Sequence, residues 1–518
     1  MSSKARLLVP TLLVFGVGLA LYWRTLLPDV GTWDTAEFQA IGPVLGIAHP
    51  TGFPTYTLVA WLASVLLQPF GNEAYRADLL SALLVAGAGA LTVVATIRLT
   101  SRPWLGLLAG ILLVLTPIAW GVGTRADAHA LHGFFAALLL VLLIEWRRGL
   151  DGRWLVAAAL VYGLSLGNHA LTLLLAPGIA VFVLLVHPRI LWRQPRLVLT
   201  CIAVLAGAAM LVYAYIPLRS ATGPPLDYAE PRTWGQFWYL VLGEQFQGTI
   251  RPLPSAGETV ARIWDELVRN LGPLVMLVPA GLVLGAMRHW RTVVLMFIWF
   301  ASTWLFALGY PNARIERYYL VPLLLASIWI ALAIDVAWDA VRDALRRPTK
   351  TSDLAADGGG RSLGWWLSRD RFVGALLALV IVVVVAAPMP DRFASADRSG
   401  DTSGRTWLEA MFEALEPGAA VVSWWSYSTP LWYGRWVEGR RSDIIIVDDR
   451  DVIDDGFGTA MGAVDHFLGD RPVYIVRLSR DIPRFEERYD LERIESVPGP
   501  GRLYRVLGPR QESTAEPA

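Results

Sequence analysis

The chain has 518 residues, 55% of them hydrophobic and only 17% charged, with a formal net charge of +1. A soluble chain carries about a quarter charged residues, so this composition excludes an ordinary soluble enzyme, and the near-zero charge offers no bulk attraction to nucleic acid. The one cysteine, Cys201, excludes a disulfide framework and a cysteine-based metal site.

Apolar runs of membrane length recur along the chain and predict a polytopic α-helical membrane protein. The first, in MSSKARLLVPTLLVFGVGLALYW, is too long for a signal-peptide core and reads as a retained helix. About eleven spans are expected, at 7–27, 78–98, 103–121, 129–147, 153–169, 171–187, 197–217, 271–287, 291–309, 318–341 and 372–389. The run 54–69 is not counted among them. Its uninterrupted part of about 14 residues reaches only ~20 Å as a helix, short of the ~30 Å hydrocarbon core. It reads as a re-entrant or interfacial helix.

The basic residues set the orientation. Lysine occurs only at Lys4 and Lys350, and arginines crowd RLTSR, WRRGLDGR, HPRILWRQPR, MRHWR and VRDALRRPTK. By the positive-inside rule these connections and the N-terminus are cytoplasmic, and the C-terminal segment is extracytoplasmic, in a cell (plasma) membrane. Residues 1–390 are therefore expected as the transmembrane domain, with long outer loops at 28–77 and 218–270 and a Gly- and Asp-rich cytoplasmic linker at 348–370. Residues 391–518 are expected as a separate soluble α/β domain. In it AAVVSWW, DIIIVDD and PVYIVRL read as strands of a partly parallel sheet, and TPLWYGRWVEG and GTAMGAVDHFLG as helices between them.

The spans are nearly free of charge, and the exceptional polar residues gather at their outer ends. They are Asp34, Glu37 and His49 in the first loop, then Arg125, Asp127, His129 and His132, then Asn168 and His169, then Arg219, then Arg314, Glu316 and Arg317. A transporter would instead place ionisable groups near the bilayer midplane, between inverted repeats. Carboxylates, histidines and arginines on one outer face suit chemistry on a lipid-linked phosphate. Guanidinium matches phosphate geometry, and a carboxylate can take the proton of an attacking hydroxyl.

Each group also has a plain structural reading. Asp34 and Glu37 have the spacing of a capping box. His49-Pro50 and Phe53-Pro54 fit a turn between two interfacial helices. Arg125 and Asp127 fit a rim ion pair, Arg219 a snorkelling side chain, Asn168 and His169 a satisfied polar pair, and Arg314 to Arg317 a solvated loop. His129 and His132 share a helix face, so a metal site with His49 and His169 is conceivable, but no ligand spacing supports one and none is expected. Trp424 and Trp432 fit either acceptor binding by ring stacking or ordinary packing.

The stretch WDTAEF followed by GIAHPTGFPTY resembles the GT-C superfamily of membrane glycosyltransferases. More narrowly it is similar to the bacterial branch of glycosyltransferase family 117, related to a eukaryotic transmembrane protein O-mannosyltransferase. The family's acid motif reads Trp33-Asp34-Thr35-Ala36-Glu37 here, and its His-Pro motif reads Gly46-Ile47-Ala48-His49-Pro50-Thr51-Gly52-Phe53-Pro54. RADAHALH, GLSLGNHALTLLLAPG, YIPLRSATGPPLDYAEPRTWGQFWYLVLGEQF and LWYGRWVEGRRSDIIIVDD add to the likeness. Trp33 and Ala36 replace the family's glycines, and Asp127 and His129 stand where relatives more often carry Glu and Tyr.

The resemblance implies a GT-C fold and an inverting transfer of a sugar, mannose as the family-level guess, from a polyprenyl-phosphate donor to an acceptor hydroxyl on a protein or glycan. It implies Asp34 as catalytic base, with Glu37 beside it, and a donor-phosphate pocket shaped by the motif around His49, Pro50 and Gly52 and by nearby arginines. Arg125, Arg219, Arg314 and Arg317 are the candidates. Asp127, His129, Asn168 and His169 would support them, and no cofactor beyond the lipid-linked donor is required. The competing classes are a transporter or flippase of lipid-linked sugars and a non-catalytic glycan-binding scaffold. On the enzyme reading, Asp34 opens a short helix from Thr35 to Leu45 that buries Phe38, Ile41 and Leu45, and the Pro and Gly residues fold His49 back to the acids.

Overall fold

The computed structural model describes residues 3–312, 314–346, 376, 379–380, 382–499 and 501–510. The expected linker 348–370 and part of the expected span 372–389 lie outside these residues.

Six described helices are long and apolar enough to cross a membrane, or seven if the bent pair Pro103–Val114 and Pro117–Gly123 is one span. The remaining expected spans take other forms. Gly152–Leu166 has 15 residues, and 171–187 becomes a 3-10 turn, Ala170–Leu175, running into Ala176–Val186. The expected spans 271–287 and 291–309 share one of the six, falling largely within the assigned helix Leu277–Gly309, which is broken at His289 (φ −134°, ψ 35°). A Cβ on Gly285 would lie 3.5 Å from Val293 Cγ2, although eight intact helical positions would hold the two about 12 Å apart. The chain therefore reverses at His289.

The helices pack through small residues. A Cβ on Gly110 would approach Val93 Cγ2 to 2.5 Å, so the Pro103–Val114 and Glu73–Thr100 helices meet at near backbone contact. Behind this seam lies an apolar core holding Trp120, Trp146, Trp299, Trp304 and Trp329, each at most 1% exposed.

The loop 28–77 carries two helices, Asp34–Val44 and Pro54–Leu66. The second has 13 residues and leaves Trp61, Leu62 and Leu66 exposed, as suits a helix too short to span. Phe38 and Ile41 are buried, and Leu45 is half-buried because it adopts the left-handed conformation that ends the first helix.

Beyond residue 397 the chain forms a five-stranded sheet of β1 (Ala420–Ser423), β2 (Ile445–Val447), β3 (Val473–Val476), β4 (Tyr489–Ile494) and β5 (Leu503–Pro509), in the order β2-β1-β3-β5-β4. β1 lies parallel to β2 and β3, while β5 runs antiparallel to β3 and β4. The three strands legible in the sequence are the apolar parallel ones. β4 and β5 are half-exposed and carry charges, which hid their pattern. This unit shares a core with the loop 28–77, in which Phe38, Phe53 and Tyr56 join Trp407, Tyr427 and Tyr433. Arg405 fastens the two, donating to both Asp29 oxygens at 3.0 and 2.7 Å and to Glu438.

Candidate active site

Asp34 opens its helix, yet no capping box forms. The N-cap position is Trp33 (φ 59°, ψ −142°), without a side-chain capping bond. Arg317 claims the carboxylate instead, donating from Nη2 to Asp34 Oδ2 at 2.6 Å. Its other terminal nitrogen donates to Asp127 Oδ2 at 3.3 Å. Asp127 is the N-cap of Ala128–Gly149 and accepts the His129 amide at 2.9 Å and His129 Nδ1 at 2.8 Å. One guanidinium, carried on the 3-10 turn Ile315–Tyr319, thus ties two carboxylates from separate segments. Burial alone would raise the Asp34 pKa, but Arg317 and then His49 outweigh it and hold it below the usual carboxylate range.

Glu37 takes a different part. It is 2% exposed and accepts the His49 amide at 2.9 Å and His49 Nδ1 in a short contact. Burial would lower the His49 pKa, but Glu37, followed by Asp34, raises it above its ordinary value. The loop is pinned behind His49 by the Ile47 amide donating to the Leu226 carbonyl at 2.8 Å. It turns ahead through Gly52, whose φ of +80° suits only glycine comfortably.

These residues surround a cavity of about 650 Å³. Asp34, His49, Pro50, His129, His169, Arg314, Arg317 and Trp424 line it, with Leu173, Leu174 and Phe306 forming an apolar wall. Arg314 has no hydrogen-bond or ion-pair partner for its guanidinium among the described residues. The His129 and His169 rings lie 4.6 Å apart, packed on Tyr318. The His169 ring accepts the Leu171 amide through Nδ1 at 3.1 Å, which caps the turn that follows.

Several candidates lie elsewhere. Arg219 donates to the Leu45 and Val44 carbonyls at 2.8 and 3.0 Å. It satisfies the C-terminal end of the Asp34 helix rather than reaching the cavity. Arg125 makes no ion pair with Asp127, which Arg317 occupies, and its Nε is buried without a partner. Burial and the nearby Arg314 push its pKa down to about 10. Asn168 is buried and donates to the Ala128 carbonyl at 3.1 Å, behind the cavity wall. Glu37 and Trp432 face a small second cavity of about 50 Å³. Trp432 is 6% exposed and packs on Trp436, which is ordinary core packing. Gly52 meets Ile216 and Leu240, not the cavity.

Sequence reading passed over Trp425, Ser426, Tyr228, Tyr310, Asp449 and Arg450, all of which line the cavity. One signal was available: Trp425 and Arg450 lie shortly after the ends of the parallel strands β1 and β2, where α/β sheets present ligand-facing residues. It also passed over the buried support of Asp78, which accepts from Gln39 at 3.0 Å and from the Ala126 amide at 2.6 Å.

Residues 34–191 match the N-terminal domain of protein O-mannosyl-transferase TMEM260. The matched stretch holds Asp34, Glu37 and the His-Pro motif together with Asp127, His129, His132 and His169. Mouse protein O-mannosyl-transferase TMEM260 is 30% identical over 213 residues, covering 40% of this chain and 30% of the mouse protein. The Dictyostelium discoideum protein of the same name is 22% identical over 129 residues, covering 25% and 16% of the two chains. The chain thus spans less than a third of the TMEM260 proteins it matches. Among solved structures, ArnT from Cupriavidus metallidurans bound to undecaprenyl phosphate superposes with a TM-score of 0.59 at 14% identity, over 99% of this chain and 98% of that one. The archaeal oligosaccharyltransferase AglB from Archaeoglobus fulgidus, in complex with an inhibitory peptide and a dolichol-phosphate, gives 0.53 at 12% identity over 98% and 75%. The chain is an integral membrane protein of the GT-C fold with a TMEM260-type segment.

Proposed function

We propose that this chain is an inverting, GT-C-type glycosyltransferase. It moves a sugar, mannose by the TMEM260 likeness, from a polyprenyl-phosphate donor to an acceptor hydroxyl, with Ser or Thr of a protein as the first choice. The reaction runs on the outer face of a plasma membrane, with the N-terminus cytoplasmic, residues 1–390 forming the membrane catalytic domain and 391–518 an extracytoplasmic domain. The lipid-linked sugar is the substrate, and no further cofactor is required.

One observation carries this reading: Asp34, paired with Arg317, in a cavity that also holds an Arg314 guanidinium without a partner among the described residues, beside an apolar wall. The acceptor O–H attacks the anomeric carbon, its proton passes to Asp34, and the bond from that carbon to the phosphate oxygen breaks. The polyprenyl phosphate leaves with its charge met by Arg314 and Arg317. A donor phosphate on Arg317 weakens the Asp34–Arg317 pair. The Asp34 pKa then rises from its depressed value, so the carboxylate becomes a better base only when the donor is bound. His49, whose pKa Glu37 raises, lies at the same rim and when protonated adds a third cation. ArnT was solved with undecaprenyl phosphate and AglB with a dolichol-phosphate, which supports a lipid-phosphate donor here.

The test is release of polyprenyl phosphate from polyprenyl-phosphate-mannose and related donors by the purified protein, wild type against Asp34→Asn. Asp34-dependent release supports the reading. A well-folded wild type that releases nothing from any donor, with or without acceptor fractions, removes it.

A further inference from the structure

The end of the helix bundle away from Asp34 carries a second set of charges. Glu73–Thr100 and Ala128–Gly149 both begin near the cavity, where Asp78 and the N-cap Asp127 sit, and both end in arginines, Arg98 on the one and Arg147 and Arg148 on the other. On either helix the two sets lie about 30 Å apart, the thickness of the hydrocarbon core.

Most of these arginines are neutralised within the fold. Arg98 pairs with Glu145 at 2.5 Å. Arg102 and Arg288 share Asp335, at 3.2 and 2.7 Å, and both also reach Asp339. Arg147 and Arg291 differ. Arg147 donates from Nη1 to Thr292 Oγ1 at 2.6 Å, which brings it beside Arg291, within electrostatic reach. Arg291 lies over the Trp290 ring, 4.9 Å from its centroid. Neither guanidinium has an acidic partner among the described residues, and that of Arg291 has no hydrogen bond among them.

Two cations held side by side repel each other. The fold keeps them together, because one closes the Ala128–Gly149 helix and the other follows the reversal at His289. A counter-charge from outside the chain removes that repulsion. Guanidinium matches phosphate in geometry and gives up its water readily, and basic corners between helices at a membrane surface receive lipid headgroups. The flank of the corner is apolar and open, with Val283, Met287 and Trp290 exposed.

We infer that Arg147 and Arg291 bind the phosphate headgroup of an anionic phospholipid, on the membrane surface opposite the Asp34 cavity. Both guanidiniums donate to phosphate oxygens, and Trp290 and Met287 lie along the acyl chains. The site uses neither sugar donor nor acceptor, so it stands apart from the glycosyltransferase reading and from its test.

The experiment is native mass spectrometry of the full-length protein released from detergent and titrated with phosphatidylglycerol, phosphatidylcholine or inorganic phosphate. Wild type is compared with Arg291→Gln and Arg147→Gln. We expect wild type to retain phosphatidylglycerol over phosphatidylcholine, and either variant to bind it about tenfold more weakly. Phosphatidylglycerol should also raise the melting temperature of wild type but not of Arg291→Gln, which loses no hydrogen bond and should fold normally. Phosphatidylglycerol held no better than phosphatidylcholine, or held equally by wild type and both variants, overturns the site. Inorganic phosphate retained by wild type alone, without a preference for phosphatidylglycerol, assigns the pair to a soluble phosphate and removes the lipid.

Discussion

Arg317 donates to Asp34 at 2.6 Å across 283 residues of sequence, and with its other terminal nitrogen it holds Asp127 at 3.3 Å. One cation therefore sets the protonation state of the candidate base and anchors it to the membrane helices. Truncating a partner of a buried ion pair leaves an uncompensated charge and costs about 3–5 kcal/mol. We expect Arg317→Ala to lower stability by an amount of that order. Arg317→Lys, lacking the fork that bridges two carboxylates, should restore only part of it. Thermal unfolding in detergent checks both, and an Arg317→Ala protein as stable as wild type would show that the bridge is not structural.

Asp34→Asn keeps the shape of the carboxylate and abolishes its basicity. A general base contributes about 10²–10⁴-fold, so sugar transfer should fall by a factor in that range. Single-turnover assays with a preloaded donor separate this from binding. Transfer at the wild-type rate would take the proton-accepting role away from Asp34.

Among the described residues the Arg314 guanidinium has no partner, so its removal should cost binding rather than folding. Arg314→Gln is expected to raise the donor KM by about tenfold, since a charge-assisted hydrogen bond contributes about 1.5–3 kcal/mol. Melting should stay within about 0.5 kcal/mol of wild type. A large drop in melting with the donor KM unmoved would mark Arg314 as a structural residue.

The Glu37–His49 pair gives a pH dependence. The His49 pKa is raised in the folded protein, so its stabilisation is complete below the unfolded value of about 6.5 and is lost as pH rises through the higher folded value. Wild type should therefore lose melting temperature on going from mildly acidic to alkaline pH. His49→Gln should show a smaller loss. Parallel pH–melting curves for the two proteins would contradict the assignment.

Asp451 runs the same way, at lower pH. Burial pushes its pKa up to about 6, beside Asp448, which is 1% exposed. A raised carboxyl pKa favours folding at low pH, and that contribution is lost as pH rises from about 4 through 6. Asp451→Asn, which can still accept the Asp448 amide at 2.9 Å, should stabilise the protein above pH 6 by about 1–2 kcal/mol. Its advantage should vanish near pH 4. Melting curves across that range decide it.

Much of this protein was open to reading in one dimension. The membrane class, the helix following Asp34, the short run at 54–69 and the parallel strands all rest on local hydrophobicity and its period, which neighbouring residues settle among themselves. The gathering of unusual polar groups at span ends was legible for the same reason, because charge is excluded from the hydrocarbon wherever the chain crosses it. What the sequence could not assign was partnership. Asp34 and Glu37 look like one capping box, yet Asp34 goes to Arg317 and Glu37 to His49. Arg125, Arg219, Arg314 and Arg317 look equivalent, yet Arg219 closes a helix end, Arg317 bridges two acids and Arg314 stays open to the cavity. A guanidinium takes whichever acceptors the fold brings within about 3 Å. Distance in space, set by how the helices and the C-terminal sheet pack around the first loop, decided which charged group binds, which supports and which remains free to act.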